Sequence, residues 1–147
     1  MIQLKLKDAA FITDNGPILN PGIAAVLRAT RLPPKAMYQL RRIGGRLTRE
    51  IQTFAETRAD LIREMGEEAM EEYDEKDADG KLVKKTRPTG QLRVKPENLA
   101  EFFAKQKELL EMDIQIDLNP LKESDLGDRY EGITAADLMQ CSFIVEG

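Results

Sequence analysis

Lys35, Arg42, Arg46 and Arg49 follow one another at steps of seven, four and three residues, a spacing that gathers them on one face of a helix. Four cations on one face form a surface for anions, either the phosphates of a nucleic acid or the carboxylates of an acidic protein. Carboxylates are the other groups with chemical potential. Glu75-x-Asp77-x-Asp79-Gly80 imitates the first half of a calcium-binding EF-hand loop, but the twelfth position counted from Glu75 is Thr86, where that loop needs a bidentate Glu. An exposed acidic turn is the better reading. Asp113, Asp117, Glu123, Asp125 and Asp128 form a loose cluster without the spacing of a metal site, which reads as solvated surface.

Other chemistries are removed by composition. The chain has no histidine, so Ser-His-Asp and Cys-His nucleophilic schemes, histidine general bases and histidine metal sites are all closed to it. Serine occurs only at Ser124 and Ser142, neither in a nucleophile elbow. The single cysteine, Cys141, sits in an apolar C-terminal segment and reads as a buried thiol that suits a reducing compartment. Gly44-Gly45 lies inside a helical pattern and Gly16-Pro17 in a turn, so neither resembles a phosphate-cradling loop. The expectation is a non-enzymatic protein with no catalytic residue, no metal ligand and no cofactor.

The elements that must position the basic face follow from periodicity. Ile2, Leu4 and Leu6 alternate with Gln3, Lys5 and Lys7, which predicts a half-buried strand. Asn15-Gly16-Pro17 breaks the chain, and Asn20-Pro21 supplies an N-cap and a first-turn proline for a short helix reaching about Thr30. Leu32-Pro33-Pro34 then starts a long helix running to Met65, with Gly66 as its stop. At 1.5 Å per residue it is roughly 45 Å long.

Its apolar seam is Met37, Leu40, Gly44, Leu47, Ile51, Phe54, Arg58, Leu61 and Met65, alternating steps of three and four. Gly44 weakens the helix but admits a close neighbour, and Arg58 calls for a carboxylate or a wet edge. An acidic stretch, Glu67 to Asp79, follows the helix. Short strands are expected at 81–85 and 91–94, around a turn at Pro88-Thr89-Gly90. Pro96 opens a third helix of roughly 24 Å with Leu99, Phe102, Phe103, Gln106, Leu109 and Leu110 on its apolar side. Asp113 to Leu118 alternates again and is paired with the N-terminal strand, and Thr134-Ala135-Ala136-Asp137 resembles a capping box for a last short helix.

A chain of 147 residues with no repeat or low-complexity linker reads as a single domain, 1–147. The expected fold is α+β, a long helix packed with a shorter helix plus a small, mostly antiparallel sheet. No apolar run approaches the roughly 18 residues of a membrane span. The net charge of −4 hides alternating blocks. Residues 15–49 carry seven bases and no acid, and residues 50–79 carry twelve acids and three bases. Residues 81–107 are basic again and residues 108–147 acidic. On the long helix this order opposes the macrodipole. Folding of the basic 81–107 block against the acidic 50–79 block would neutralise both, and the N-terminal basic block would match the acidic C-terminal one.

The long seam outruns the third helix, so its remainder needs another cover, from the short helices, a second copy or a partner. Gly44, Leu47, Ile51, Phe54 and Arg58 are therefore the candidate interface, and Lys35, Arg42, Arg46 and Arg49 the candidate basic face.

The succession of the Arg31-Leu32-Pro33-Pro34-Lys35 entry, Glu50-x3-Phe54-x3-Arg58-x2-Leu61-Ile62, Met65-Gly66-Glu67, the Asp79-Gly80-Lys81 turn, Phe102-x6-Leu109-Leu110 and Asp113-Ile114-Gln115-Ile116 resembles small uncharacterised proteins of tailed bacteriophages and prophages. That resemblance implies a phage product acting in the cytoplasm of the infected bacterium or in virion assembly, and carries over no catalytic residue. The leading expectation is a protein–protein interaction factor, accessory, assembly or host-directed, that contacts itself as a homo-oligomer, a phage protein or a host protein. Nucleic-acid binding through the basic face is the alternative, and a small carboxylate- and metal-dependent enzyme a third.

Overall fold

The alternation of Ile2 and Leu4 with Gln3 and Lys5 does form a strand, β1 (Ile2–Lys5), in the computed structural model, which describes every residue from Met1 to Gly147. After it come α1 (Leu6–Ala9), β2 (Ala10–Thr13), β3 (Gly16–Leu19), α2 (Pro21–Leu27) and α3 (Pro34–Met65). The second half holds β4 (Gly66–Lys76), β5 (Leu82–Val94), α4 (Leu99–Leu110), β6 (Asp113–Ile116), β7 (Leu121–Lys122), α5 (Ala135–Gln140) and β8 (Val145–Glu146). The fold is α+β, with one long helix and small two-stranded sheets, antiparallel except for the parallel β7–β8 pair.

The chain divides into two compact units, residues 1–56 with 107–147, and residues 57–106. In the first, β1 pairs antiparallel with β6, setting Ile2 opposite Ile116 and Leu4 opposite Ile114, as their shared single apolar face requires. All four side chains are buried. Asn20 caps α2 by accepting from the Gly22 N–H (2.9 Å) while its own amide donates to Asp8 O (3.0 Å), which explains a buried asparagine. α2 ends at Leu27, short of the expected Thr30. Between α1 and α2 lies a hairpin that the residue pattern does not announce: β2 pairs with β3 around Asp14-Asn15, and Gly16 takes φ +104°. Thr134 and Asp137 close the expected capping box on α5, at 3.1 and 2.9 Å.

The core of this unit joins Leu40, Ile43, Leu47, Ile51 and Phe54 of α3 with Ile23 and Val26 of α2, the β1 and β6 isoleucines, Leu126, Cys141 and Ile144. Gly44 earns its place here: a Cβ on it would lie 3.1 Å from Leu27 Cδ1, so its absence lets a leucine of α2 seat against α3.

The second unit is built on a ribbon rather than on the expected short strands. The acidic stretch is strand β4, and the two short basic strands are one long strand, β5, paired to it from Gly66↔Val94 to Lys76↔Leu82. Pro88-Thr89-Gly90 does not end the strand. The register jumps there, so the extra residues bulge opposite Ala69, and the Thr89 hydroxyl donates to Ala69 O (3.0 Å). In the same unit the Arg58 Nε donates to Gln106 Oε1 (2.8 Å), and its guanidinium lies 5.6 Å from the Phe102 ring centre. Of the two expected settings, a carboxylate partner or a wet edge, the first is replaced by a neutral amide and an aromatic face, and Arg58 stays half-exposed. Phe102 is buried, whereas Leu99 and Phe103, expected on the same apolar side, are exposed.

Candidate functional site: an arginine-lined groove on the long helix

Arg42, Arg46 and Arg49 project from the solvent side of α3, as their spacing requires, and the fold adds Arg41 beside them. With Gly45, Asp117 and Leu118 these four arginines line a groove of about 450 Å³. A Cβ on Gly45 would meet nothing within 4 Å, so the floor between the two arginine pairs stays open. Asp117 and Leu118 come from the segment that leaves β6, far away in sequence, which is why periodicity on the helix could not reveal the second wall. Lys35, the fourth residue of the expected basic face, lies outside this groove. It lines a neighbouring hollow with Pro33, Gln39, Asn119, Ser124 and Asp125.

The arginines differ from most other guanidinium groups of this chain in having no carboxylate partner. Arg31 bridges Glu131 at 3.0 Å, Arg63 bridges Asp60 at 2.7 Å, Arg87 bridges Glu71 at 2.6 Å and Arg93 bridges Glu67 at 3.2 Å. No ion pair within 4 Å reaches Arg41, Arg42, Arg46 or Arg49. Arg42 instead lies 5.8 Å from the ring centre of Tyr38, one helical turn back. The basic 81–107 block does fold against the acidic stretch, through the ribbon. The matching of the N-terminal basic block to the C-terminal acids is confined to Arg31–Glu131.

Charge crowding makes the groove attractive to an anion. Like charges around one hollow repel one another by roughly 1 kcal/mol per close pair in water, and more where water is displaced. An anion relieves that repulsion.

The expected interface is placed elsewhere. Gly44, Leu47, Ile51 and Phe54 are buried in the core of the first unit, so they offer no surface to a second copy or a partner. This corrects the seam argument: comparing helix lengths counted only helices, whereas β1, β6, α2 and the C-terminal segment supply the cover. Arg58 is half-buried against Phe102 and Gln106 in the second unit.

The acidic candidates are engaged locally. Asp77 Oδ1 accepts from the N–H groups of Asp79 and Lys81, both at 2.9 Å, so the EF-hand-like run is the turn of the ribbon. Asp113, Asp117, Glu123, Asp125 and Asp128 are exposed, and no three carboxylate, thiol or imidazole groups gather as a metal site would require. Cys141 is buried, and desolvation pushes its thiol up to about 12, which leaves it un-ionised at neutral pH. No helix is long and apolar enough to cross a membrane.

No protein-family model, curated protein or solved structure matches this chain.

Proposed function

We propose that this chain is a non-enzymatic interaction protein that uses the arginine groove of α3 to hold an acidic protein partner. One observation carries the reading: Arg41, Arg42, Arg46 and Arg49 surround a single groove, and none is paired with a carboxylate of its own chain. Surface arginines left unpaired and convergent are the arrangement that recognises carboxylates bidentately. The net charge of −4 favours a compact acidic segment over a long polyphosphate, because the groove is a local positive site on an acidic molecule. The resemblance to small tailed-phage proteins would set such a partner in an infected bacterium's cytoplasm or in virion assembly.

Nucleic-acid binding is the second reading, favoured by Tyr38, which is 66% exposed beside Arg42 and offers one stacking face. Titration calorimetry with poly-L-glutamate, single-stranded and double-stranded oligonucleotides at low salt separates the two. Poly-L-glutamate should bind at least about tenfold more tightly than either oligonucleotide. The reverse ranking transfers the groove to nucleic acid, and binding of none of the three overturns both readings.

A further inference from the structure

The β4–β5 ribbon distributes its charges unequally between its two faces. Strand alternation puts Glu67, Glu71, Tyr73 and Glu75 on one face, across from Arg93, Arg87, Lys85 and Val83. That face neutralises itself: Glu67–Arg93 close at 3.2 Å, Glu71–Arg87 at 2.6 Å and Glu75–Lys85 at 2.7 Å. Arg87 also lies 4.8 Å from the centre of the Tyr73 ring.

The other face is unfinished. Its cross-strand pairs are Glu68/Leu92, Met70/Pro88, Glu72/Thr86, Asp74/Lys84 and Lys76/Leu82, and none of them closes an ion pair. Met70 is 48% exposed, Leu92 49% and Leu82 68%. A bare two-stranded ribbon is marginal in water, and a second layer on its open face is the usual remedy.

We infer that this second face is a contact between two copies of the chain, stacked face to face about a two-fold axis running along the ribbon. Such a rotation keeps each residue's position along the strands and exchanges the strands, so β4 of one copy lies over β5 of the other. Each residue then faces the position of its own cross-strand partner in the second copy. Asp74 meets Lys84 of the second copy, Lys84 meets its Asp74, and Met70 meets its Pro88 with Leu92 alongside. Charge selects this axis. A two-fold across the strands would lay Glu68, Glu72 and Asp74 of β4 over β4 of the second copy, and would leave Lys84, the one base of β5 on this face, over a strand with no acid to meet it. The contact is closed, since one self-complementary patch serves both copies.

Its size sets its strength. Eleven residues at about 3.3 Å each, over two strands about 4.8 Å apart, present roughly 350 Å² per copy. That is less than half of the ~800 Å² a side of a standard interface. The dimer is therefore weak and concentration-dependent. It involves no residue of the arginine groove, so it stands or falls separately from the proposed function.

Sedimentation velocity of the full chain over a wide micromolar range tests it, with circular dichroism to confirm the fold. Wild type should shift from monomer to dimer as concentration rises. Asp74→Lys and Lys84→Asp should each weaken dimerisation about tenfold or more. An equimolar mixture of the two variants should dimerise again, because every reversed charge then faces an opposite one. The double variant D74K/K84D should match wild type, and decides the matter even if one single reversal misfolds. A strict monomer at every concentration overturns the inference. So does a dimer that neither reversal weakens, or a loss that neither mixture nor double variant restores.

Discussion

Glu111 accepts from both Lys7 Nζ (2.7 Å) and Lys5 Nζ (2.9 Å), joining the N-terminal strand region to the residues that follow α4. Hydrogen bonds from Lys7 and then Lys5 hold its carboxyl at about 2, below the ordinary 4.5, and the same bond raises Lys5. A folded-state value below the unfolded one stabilises the fold above the unfolded value and stops doing so as pH falls through the folded one. Glu111→Gln should therefore melt below wild type at pH 7, and the gap should close between about pH 4.5 and pH 2. A gap unchanged at pH 2, measured by thermal denaturation, would contradict the assignment. The adjacent glycines of α3 make a second residue-scale test. Gly45 is exposed with open space at its Cβ, so Gly45→Ala should stabilise by about 0.5–1 kcal/mol through helix propensity. Gly44→Ala gains the same propensity but presses on Leu27 at 3.1 Å, so its melting temperature should fall below that of Gly45→Ala.

Among the elements, those with strong local rules were legible in the sequence. The proline start and glycine stop of α3, the Asn20 cap, the Thr134 capping box and the β1–β6 pairing each rest on a few neighbouring residues or one shared apolar face. The ribbon was not legible, because six acids in eleven residues carry no strand propensity of their own. Its order comes from cross-strand charges that only pairing brings together. Pro88 and Gly90 looked like a turn because local chemistry does not distinguish a turn from a wide bulge. The apolar seam of α3 is plain in its spacing, yet strands as well as helices cover it. Leu47→Ala should therefore destabilise by about 2–5 kcal/mol, as for any fully buried leucine. A loss below about 1 kcal/mol in chemical denaturation would indicate that the seam is not core. In the ribbon, Asp77→Ala removes the acceptor of two turn N–H groups, at about 1 kcal/mol each. Amide exchange should quicken across residues 74–84 and stay unchanged in β1 and β6; uniform exchange throughout would contradict a local role.

At the scale of the whole molecule, the sequence read as one domain, and the chain forms two compact units. The 57–106 unit neutralises acids of β4 with bases of β5 on one face of the ribbon. The first unit leaves the α3 arginines without such partners. The basic face was half visible in the sequence: Arg42, Arg46 and Arg49 share a face by spacing, whereas Arg41 and the Asp117–Leu118 wall required the fold, and Lys35 belongs to the adjoining hollow.

The central claim is that this groove recognises carboxylates, and charge reversal within it is the most direct measurement. Fluorescence anisotropy of labelled poly-L-glutamate should show Arg42→Glu/Arg46→Glu binding at least about tenfold more weakly than wild type, since each lost charge-assisted bond is worth about 1.5–3 kcal/mol. Lys107→Glu, which reverses an exposed basic side chain outside both the groove and the ribbon, should bind within about twofold of wild type, as a change that leaves the contacts intact should. Equal binding by wild type and the arginine double variant would contradict the account.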